Sequence, residues 1–274
     1  MCIRDRQGQV LVAAGDVLIT FDPAKADFNH DGVVGVAFPA DTARGSKHGV
    51  YVAKLQKGGG AVEVDGFLQK PSPETAKKAG AVDGIGRVLV DTGLLSFSPT
   101  ATAKLLETAG FKLGSQSASK KAQGGLLADL VSPKAPNLDL YQELLTALPR
   151  KTTQKAYLAA NGDSPATRAV YQGLRGVPFR VAVAPSCEFF HVGSSREFIA
   201  GVSSLSHTAE KYGFREGDHA KVEAGGAREN AFVFNAILAS EKTRLGDGAV
   251  VEGVACDGPL VLPGPNLVLS LIHI

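Results

Sequence analysis

Only three cysteines occur in 274 residues, with no pairing pattern among them. That excludes a disulfide framework and suits a reducing compartment. Cys187 and Cys256 lie in apolar, strand-like runs and read as buried, inert thiols. No apolar run has the length needed to cross a bilayer and no signal peptide is visible, so the expected location is cytoplasmic. Neither charge is in excess. The net charge is +2, with Lys and Arg spread along the chain, which argues against a nucleic-acid or membrane-surface partner. What is plentiful is apolar side chain: 44% of residues are hydrophobic, enough for one large domain or two ordinary ones.

The stretch around which the chain is organised is Val10-Leu11-Val12-Ala13-Ala14-Gly15-Asp16, followed by the apolar Val17-Leu18-Ile19. An apolar run of this kind predicts a strand buried on both faces of a parallel sheet, with helices on either side. Ligands gather beyond the carboxyl ends of such strands, which puts Asp16 at the mouth of a site. Gly15 lets a ligand approach the backbone, and an Asp is a hard oxygen ligand suited to Mg²⁺ holding substrate phosphates. The plainer alternative is an Asp that ends a strand and caps a turn.

Further along, Asp27-Phe28-Asn29-His30-Asp31-Gly32 opens like a calcium loop, but Phe38 stands where the bidentate Glu belongs, so a polar turn before the strand Val33 to Phe38 is expected. A short strand runs through Lys47-His48-Gly49-Val50-Tyr51-Val52, a polar loop through 54–60, and Phe67-Leu68-Gln69-Lys70-Pro71 follows. Ser72-Pro73-Glu74 then starts a helix that Gly80 stops. Lys70 therefore sits at a strand end just before a helix N-terminus, where an anionic phosphate is favoured. A lone Lys is more often a solvated charge. Its position is what singles it out.

Val88 to Phe97 reads as a buried strand broken by the polar Asp91-Thr92-Gly93, with a helix capped by Ser98-Pro99 behind it. Residues 112–136 are rich in Gly, Ser and Lys and suggest a mobile loop with one short helix. Helices are expected at Asp139 to Leu145 and at Ser164 to Leu174, and strands at Phe179 to Ala184 and Cys187 to Val192. Gly193-Ser194 then caps a helix ahead of Phe198, so His191, like Asp16, lies where a strand meets a helix start. A satisfied core or surface histidine is the competing reading.

From about residue 228 the rhythm changes. Val233, Ala239, Leu245 and Val251 recur every six residues, which indicates a parallel β-helix and a boundary near Gly225-Gly226. Residues 1–6 and 269–274 fit no neighbouring pattern and read as non-native ends, translated adapter flanking an internal piece of a longer protein. The expected layout is a catalytic domain over 7–224 and the start of a β-helix over 228–268.

The order of these motifs resembles the sugar-1-phosphate nucleotidyltransferases. Gly15-Asp16 looks like that family's metal-binding Gly-Asp, His48-Gly49-Val50 like its sugar-contacting strand, Gln69-Lys70-Pro71 like its Glu-Lys-Pro, and Thr92-Gly93 like its Thr-Gly. With Phe190-His191-Val192-Gly193-Ser194 added, the set is similar to the L-fucose-1-phosphate guanylyltransferases, including those joined to a fucokinase. The resemblance implies an α/β fold: a Rossmann-like nucleotidyltransferase domain, N-terminally incomplete, followed by a left-handed parallel β-helix. It implies transfer of a nucleotidyl group from GTP to L-fucose-1-phosphate, giving GDP-L-fucose and pyrophosphate. Asp16, Lys70 and His191 would be catalytic, with Asp16 holding Mg²⁺. His48, Gly49, Gln69, Asp91, Thr92, Gly93 and Ser194 would bind substrate. Gln69 stands where the wider family has Glu, and His191 where it has a second acidic metal ligand. The Gly-rich basic loop that grips the nucleotide would precede residue 7, so the piece is expected to be inactive alone; the resemblance leaves open whether a sugar kinase domain is fused C-terminally in the full-length protein.

Three alternatives compete. The first is a related transferase with another sugar phosphate or base. The second is a hexapeptide-repeat acyltransferase or a non-catalytic β-helix assembly module, and the third a plain nucleotide-binding regulatory module, which differs only in failing to release pyrophosphate. The acyltransferase is weakened because the only His past residue 219 is His273.

Overall fold

The computed structural model describes residues 8–54, 60–111, 138–194, 197–198, 221–222 and 231–269. The expected loops over 54–60 and 112–136, the boundary at Gly225-Gly226 and the chain ends lie wholly or mostly outside them. Contacts divide the chain into two units, Met1–Gly15 with Phe21–Glu188 and Asp16–Thr20 with Phe189–Ile274.

The strands up to residue 191 are β1 (Val10–Ala13), β2 (Val17–Thr20), β3 (Val33–Asp41), β4 (Gly49–Ala53), β5 (Val62–Gln69), β6 (Arg87–Phe97), β7 (Phe179–Val183) and β8 (Glu188–His191). The first unit is mixed α/β. Its sheet runs β1-β6-β3-β7-β5-β4, with β4 also bonded to β6. Only β3–β7 is parallel, and the other pairs are antiparallel. This corrects the expected parallel sheet.

The strand that fills the centre is β3. Val33 and Ala37 point into one core cluster and Val34 and Val36 into another. A strand covered on both faces must be apolar at successive positions, and this one is. The Val10 run, expected to hold that place, is instead β1, an edge strand antiparallel to β6, with Val10 and Leu11 42% and 43% exposed. Apolar composition marks both runs alike; only pairing tells centre from edge.

Helix caps fall where the sequence puts them. Ser72, Ser98 and Ser164 each accept from a backbone N–H at the start of α1 (Pro73–Lys78), α2 (Pro99–Ala109) and the later helix Pro165–Leu174. The Asp139 helix begins with a π-turn, Leu140–Leu144, capped by the Asp139 carboxylate, and continues into α3 (Leu145–Ala147). Then come α4 (Gln154–Asn161) and α5 (Pro165–Leu174), whose Val170, Tyr171 and Leu174 enter the main core beside Tyr157. The Asp27–Gly32 segment is the polar turn expected: Asp27 pairs with His30 at 3.2 Å and accepts from the Asn29 N–H. Cys187 is half-buried and burial pushes its thiol up to about 11, while Cys256 is half-buried too.

In the second unit β2 pairs with β8. Beyond them lie β9 (Lys221–Val222), β10 (Phe232–Phe234), β11 (Ile237–Leu238), β12 (Arg244–Leu245), β13 (Val250–Glu252), β14 (Ala255–Cys256), β15 (Val261–Leu262) and β16 (Leu267–Leu269). They form parallel ladders β10-β13-β16, β9-β11-β14 and β12-β15. Phe232 stands beside Val250 and Val250 beside Leu267, close to three of the six-residue steps read from the sequence. Val233, Leu245 and Val251 are buried as expected, but Ala239 is exposed and Leu238 takes the inward place. Successive residues of extended chain face opposite ways, so burying Leu238 turns Ala239 outward.

Candidate functional site

Two strand ends meet the middle of a third strand in the first unit. Gly49, the first residue of β4, stands beside Gln69, the last of β5, and the backbone N–H of Lys70 donates to the His48 carbonyl at 3.0 Å. Val50 on β4 pairs with Val90 on β6, which brings Asp91-Thr92-Gly93 alongside. A Cβ on Gly49 would come 2.5 Å from the Phe67 ring and 3.2 Å from the Asp91 Cβ, so only glycine lets β4 lie this close to its neighbours. His48, Gly49, Gln69, Lys70, Asp91, Thr92 and Gly93, picked from the sequence, are thus one neighbourhood.

Asp91-Thr92-Gly93 does not break β6, contrary to expectation; it makes a bulge within it. Gly35 pairs with Leu95 and Ala37 with Asp91, so Thr92, Gly93 and Leu94 together oppose Val36. Gly93 has φ 74°, in the left-handed region, and a Cβ there would come 2.8 Å from that of Ala14. The Thr92 hydroxyl is fully buried, donating to the Val36 carbonyl at 2.8 Å and accepting from the Leu94 N–H. The Gly93 carbonyl accepts from the Ala14 N–H at 3.0 Å.

Asp91 is buried, 5% exposed. Tyr51 donates its hydroxyl to Asp91 Oδ1 at 2.6 Å, and the Gly93 N–H donates to Oδ2 at 3.1 Å. Burial disfavours the charged carboxylate and pushes the group up to about 7, although these donors and the Thr92 backbone N–H pull the other way. Tyr51 is itself held well above the usual phenol range, first by burial and then by the Asp91 charge.

Two features at the end of β5 are out of the ordinary. The Gln69 Oε1 is buried with no hydrogen-bond partner among the described residues, a state natural proteins seldom leave without a reason. Lys70 is exposed and has φ 45°, a conformation that costs a non-glycine residue about 1 kcal/mol or more and clusters at functional sites.

The other sequence-predicted residues gather in the second unit. The His191 Nε2 lies 3.2 Å from Asp16 Oδ2, and its Nδ1 lies 3.5 Å from Glu197 Oε2. The Val192 N–H donates to the Asp16 carbonyl at 2.8 Å. Ser194 accepts from the Glu197 N–H and donates its hydroxyl to Glu197 Oε2 at 3.0 Å. The imidazole stands between two carboxylates and stacks parallel to the Phe189 ring. Asp16 is half-exposed at 52%, and nothing among the described residues approaches Gly15 within 4 Å of where a Cβ would be. No group of three or more His, Cys, Asp or Glu among the described residues is arranged to hold a metal. The half-exposed Asp16 carboxylate is a hard oxygen donor, of the kind that suits a hard cation shared with substrate oxygens.

Sequence reasoning passed over Tyr51 and Glu197. Both carried a signal: Tyr51 lies two residues after Gly49 and so shares its face of β4, and Ser194 to Glu197 has the spacing of a helix capping box. Among the described residues no helix is long and apolar enough to cross a membrane.

A family model for the fucose pyrophosphorylase domain matches residues 1–273. The bifunctional fucokinase/GDP-fucose pyrophosphorylase of Arabidopsis thaliana is 34% identical over 104 residues, 36% of this chain and 10% of that protein. The fucose-1-phosphate guanylyltransferase of Mus musculus is 24% identical over 279 residues, 94% of this chain and 44% of that protein. The chain thus spans less than half the length of these curated relatives. Among solved structures, a mannose-1-phosphate geranyltransferase from Thermus thermophilus is 17% identical, with 97% of this chain and 64% of that one covered at a TM-score of 0.37, too low to support an argument. The family model takes in nearly the whole sequence, and the chain belongs to the fucose pyrophosphorylase domain family.

Proposed function

We propose that the chain serves nucleotidyl transfer from GTP to L-fucose-1-phosphate, giving GDP-L-fucose and pyrophosphate. The observation that carries this is the meeting of the strand ends at Gly49 and Gln69-Lys70 with the Asp91–Gly93 bulge in the middle of β6, with a buried Gln69 Oε1 that has no partner among the described residues and a left-handed Lys70. A buried carbonyl oxygen without a donor suits a ligand hydroxyl. A cation at the same strand end suits the phosphate that the sugar carries.

In this reaction a phosphate oxygen of the sugar phosphate attacks the α-phosphorus of GTP, and the α–β phosphoanhydride bond breaks to release pyrophosphate. Both reactants are anions, so the protein's contribution is positioning and charge neutralisation. Lys70 offsets the charge of the incoming sugar phosphate. Gly49 and Gln69 meet sugar hydroxyls through backbone and amide. Asp91, Thr92 and Gly93 shape that wall, Thr92 through the bulge that its hydroxyl holds. Asp16 would hold Mg²⁺, which when bound neutralises the nucleotide phosphates. His191 sits between Asp16 and Glu197 and orients the acidic group, with Ser194 fixing Glu197. The same reading takes 7–224 as the catalytic domain and the parallel ladders over 228–268 as coils of a left-handed β-helix. The plant relative is named as a fucokinase as well; a kinase joined to this chain would supply its sugar phosphate.

The test is calorimetric titration of the chain with L-fucose-1-phosphate and, separately, with other hexose-1-phosphates. Saturable binding of the fucose compound, lost in Lys70→Ala, is expected. Equal or better binding of the others by the intact chain refutes the sugar assignment.

A further inference from the structure

Tyr51 is fully buried, and it touches both side chains on which Gly49 rests. Its hydroxyl donates to Asp91 at 2.6 Å, and its ring meets Phe67 edge-on at 5.1 Å between centroids. Asp91 in turn accepts from the Gly93 N–H, so one hydroxyl links β4 to the left-handed corner of the bulge in β6. The neighbourhood is cut to fit this side chain: a Cβ on Gly35, across the sheet, would overlap the Tyr51 hydroxyl. No role in the reaction falls to Tyr51 directly, yet a buried phenol and a buried carboxyl are costly to keep unless their pairing does something.

We propose that Tyr51 is the positioning residue of the sugar site, holding the Asp91 carboxyl and thereby the Gly49 strand end and the Gly93 bulge in the geometry that receives the sugar. This rests on the functional reading above. The linkage is specific because the hydroxyl is the only side-chain donor to Asp91 among the bonds described; the others are the Gly93 and Thr92 backbone N–H groups. The titratable groups facing Asp91 among the described residues are Tyr51 from β4 and, beside Gly93 and acting through Tyr51, Tyr141 from the π-turn.

The experiment uses the full chain and Tyr51→Phe, which removes one oxygen. The first readout is the pH titration of the Asp91 carboxyl carbon by NMR. Because the Tyr51 hydroxyl stabilises the charged form, its loss should move the inflection to higher pH. The second is affinity for L-fucose-1-phosphate, expected to weaken about tenfold, the worth of one good hydrogen bond to a charged group. In an Asp91→Ala background, where the acceptor is already gone, the same substitution should add little, since the two act as one unit. Should Tyr51→Phe fail to fold, Asp91→Ala removes the acceptor instead and should give the same loss of sugar affinity. An unmoved inflection, unchanged affinity, or losses that simply add would each overturn the proposal. A wild-type chain that binds no L-fucose-1-phosphate overturns the functional reading and this inference with it, whereas wild-type binding matched by Tyr51→Phe overturns this inference alone.

Discussion

Asp91→Asn should make the protein more stable at alkaline pH than the wild type, and the reason is burial. The Asp91 carboxyl has an ordinary value of 3.8 and is raised to about 7 by loss of solvation in the fold. The folded chain therefore holds a proton between those values that the unfolded chain has released. Stability then falls as pH rises: the contribution is complete below 3.8 and is lost as pH climbs through about 7. A shift of about 3 units at about 1.36 kcal/mol each gives up to about 4 kcal/mol across that window. An amide carries no such dependence while still accepting from Tyr51. Denaturant unfolding of both chains at pH 4, 6 and 8 isolates the effect, since every other titrating group cancels in the difference. The wild type should lose up to about 4 kcal/mol relative to Asp91→Asn between the ends of this range. Parallel stability curves, or a wild type that gains on the variant as pH rises, would refute the argument from burial.

Lys70→Gly should relieve the left-handed backbone at φ 45° and raise stability by about 1 kcal/mol, while sugar-phosphate affinity drops at least tenfold; melting and calorimetry on one sample read both. Gly35→Ala pushes a methyl into the Tyr51 hydroxyl and should cost about 1–3 kcal/mol in urea unfolding; a stabilised variant would contradict the close approach. Leu238→Ala, at a position with no exposure, should cost about 2–5 kcal/mol in the unfolding of the second unit, whereas Ala239→Ser should be near neutral. Asp16→Asn should weaken Mg²⁺-dependent GTP binding and leave L-fucose-1-phosphate binding in the absence of metal unchanged, which a paired titration would show.

Local chemistry was legible from the chain alone. Serine followed by proline at 72, 98 and 164 announced three helix starts because the cap needs only its own next residues. The six-residue rhythm announced parallel strands, since the pattern recurs locally along the chain. The motif residues His48-Gly49, Gln69-Lys70 and Asp91-Thr92-Gly93 could be named in advance, and they do meet. What the tertiary structure alone decided is which apolar run takes the middle. Val10–Ala13 and Val33–Phe38 look alike as strings, and the partners on either edge made the second the core and the first an edge. It likewise decided that Asp91 is buried and tied to Tyr51 across 40 positions of chain. A pairing between distant residues depends on the whole sheet register, and no window of sequence contains that register.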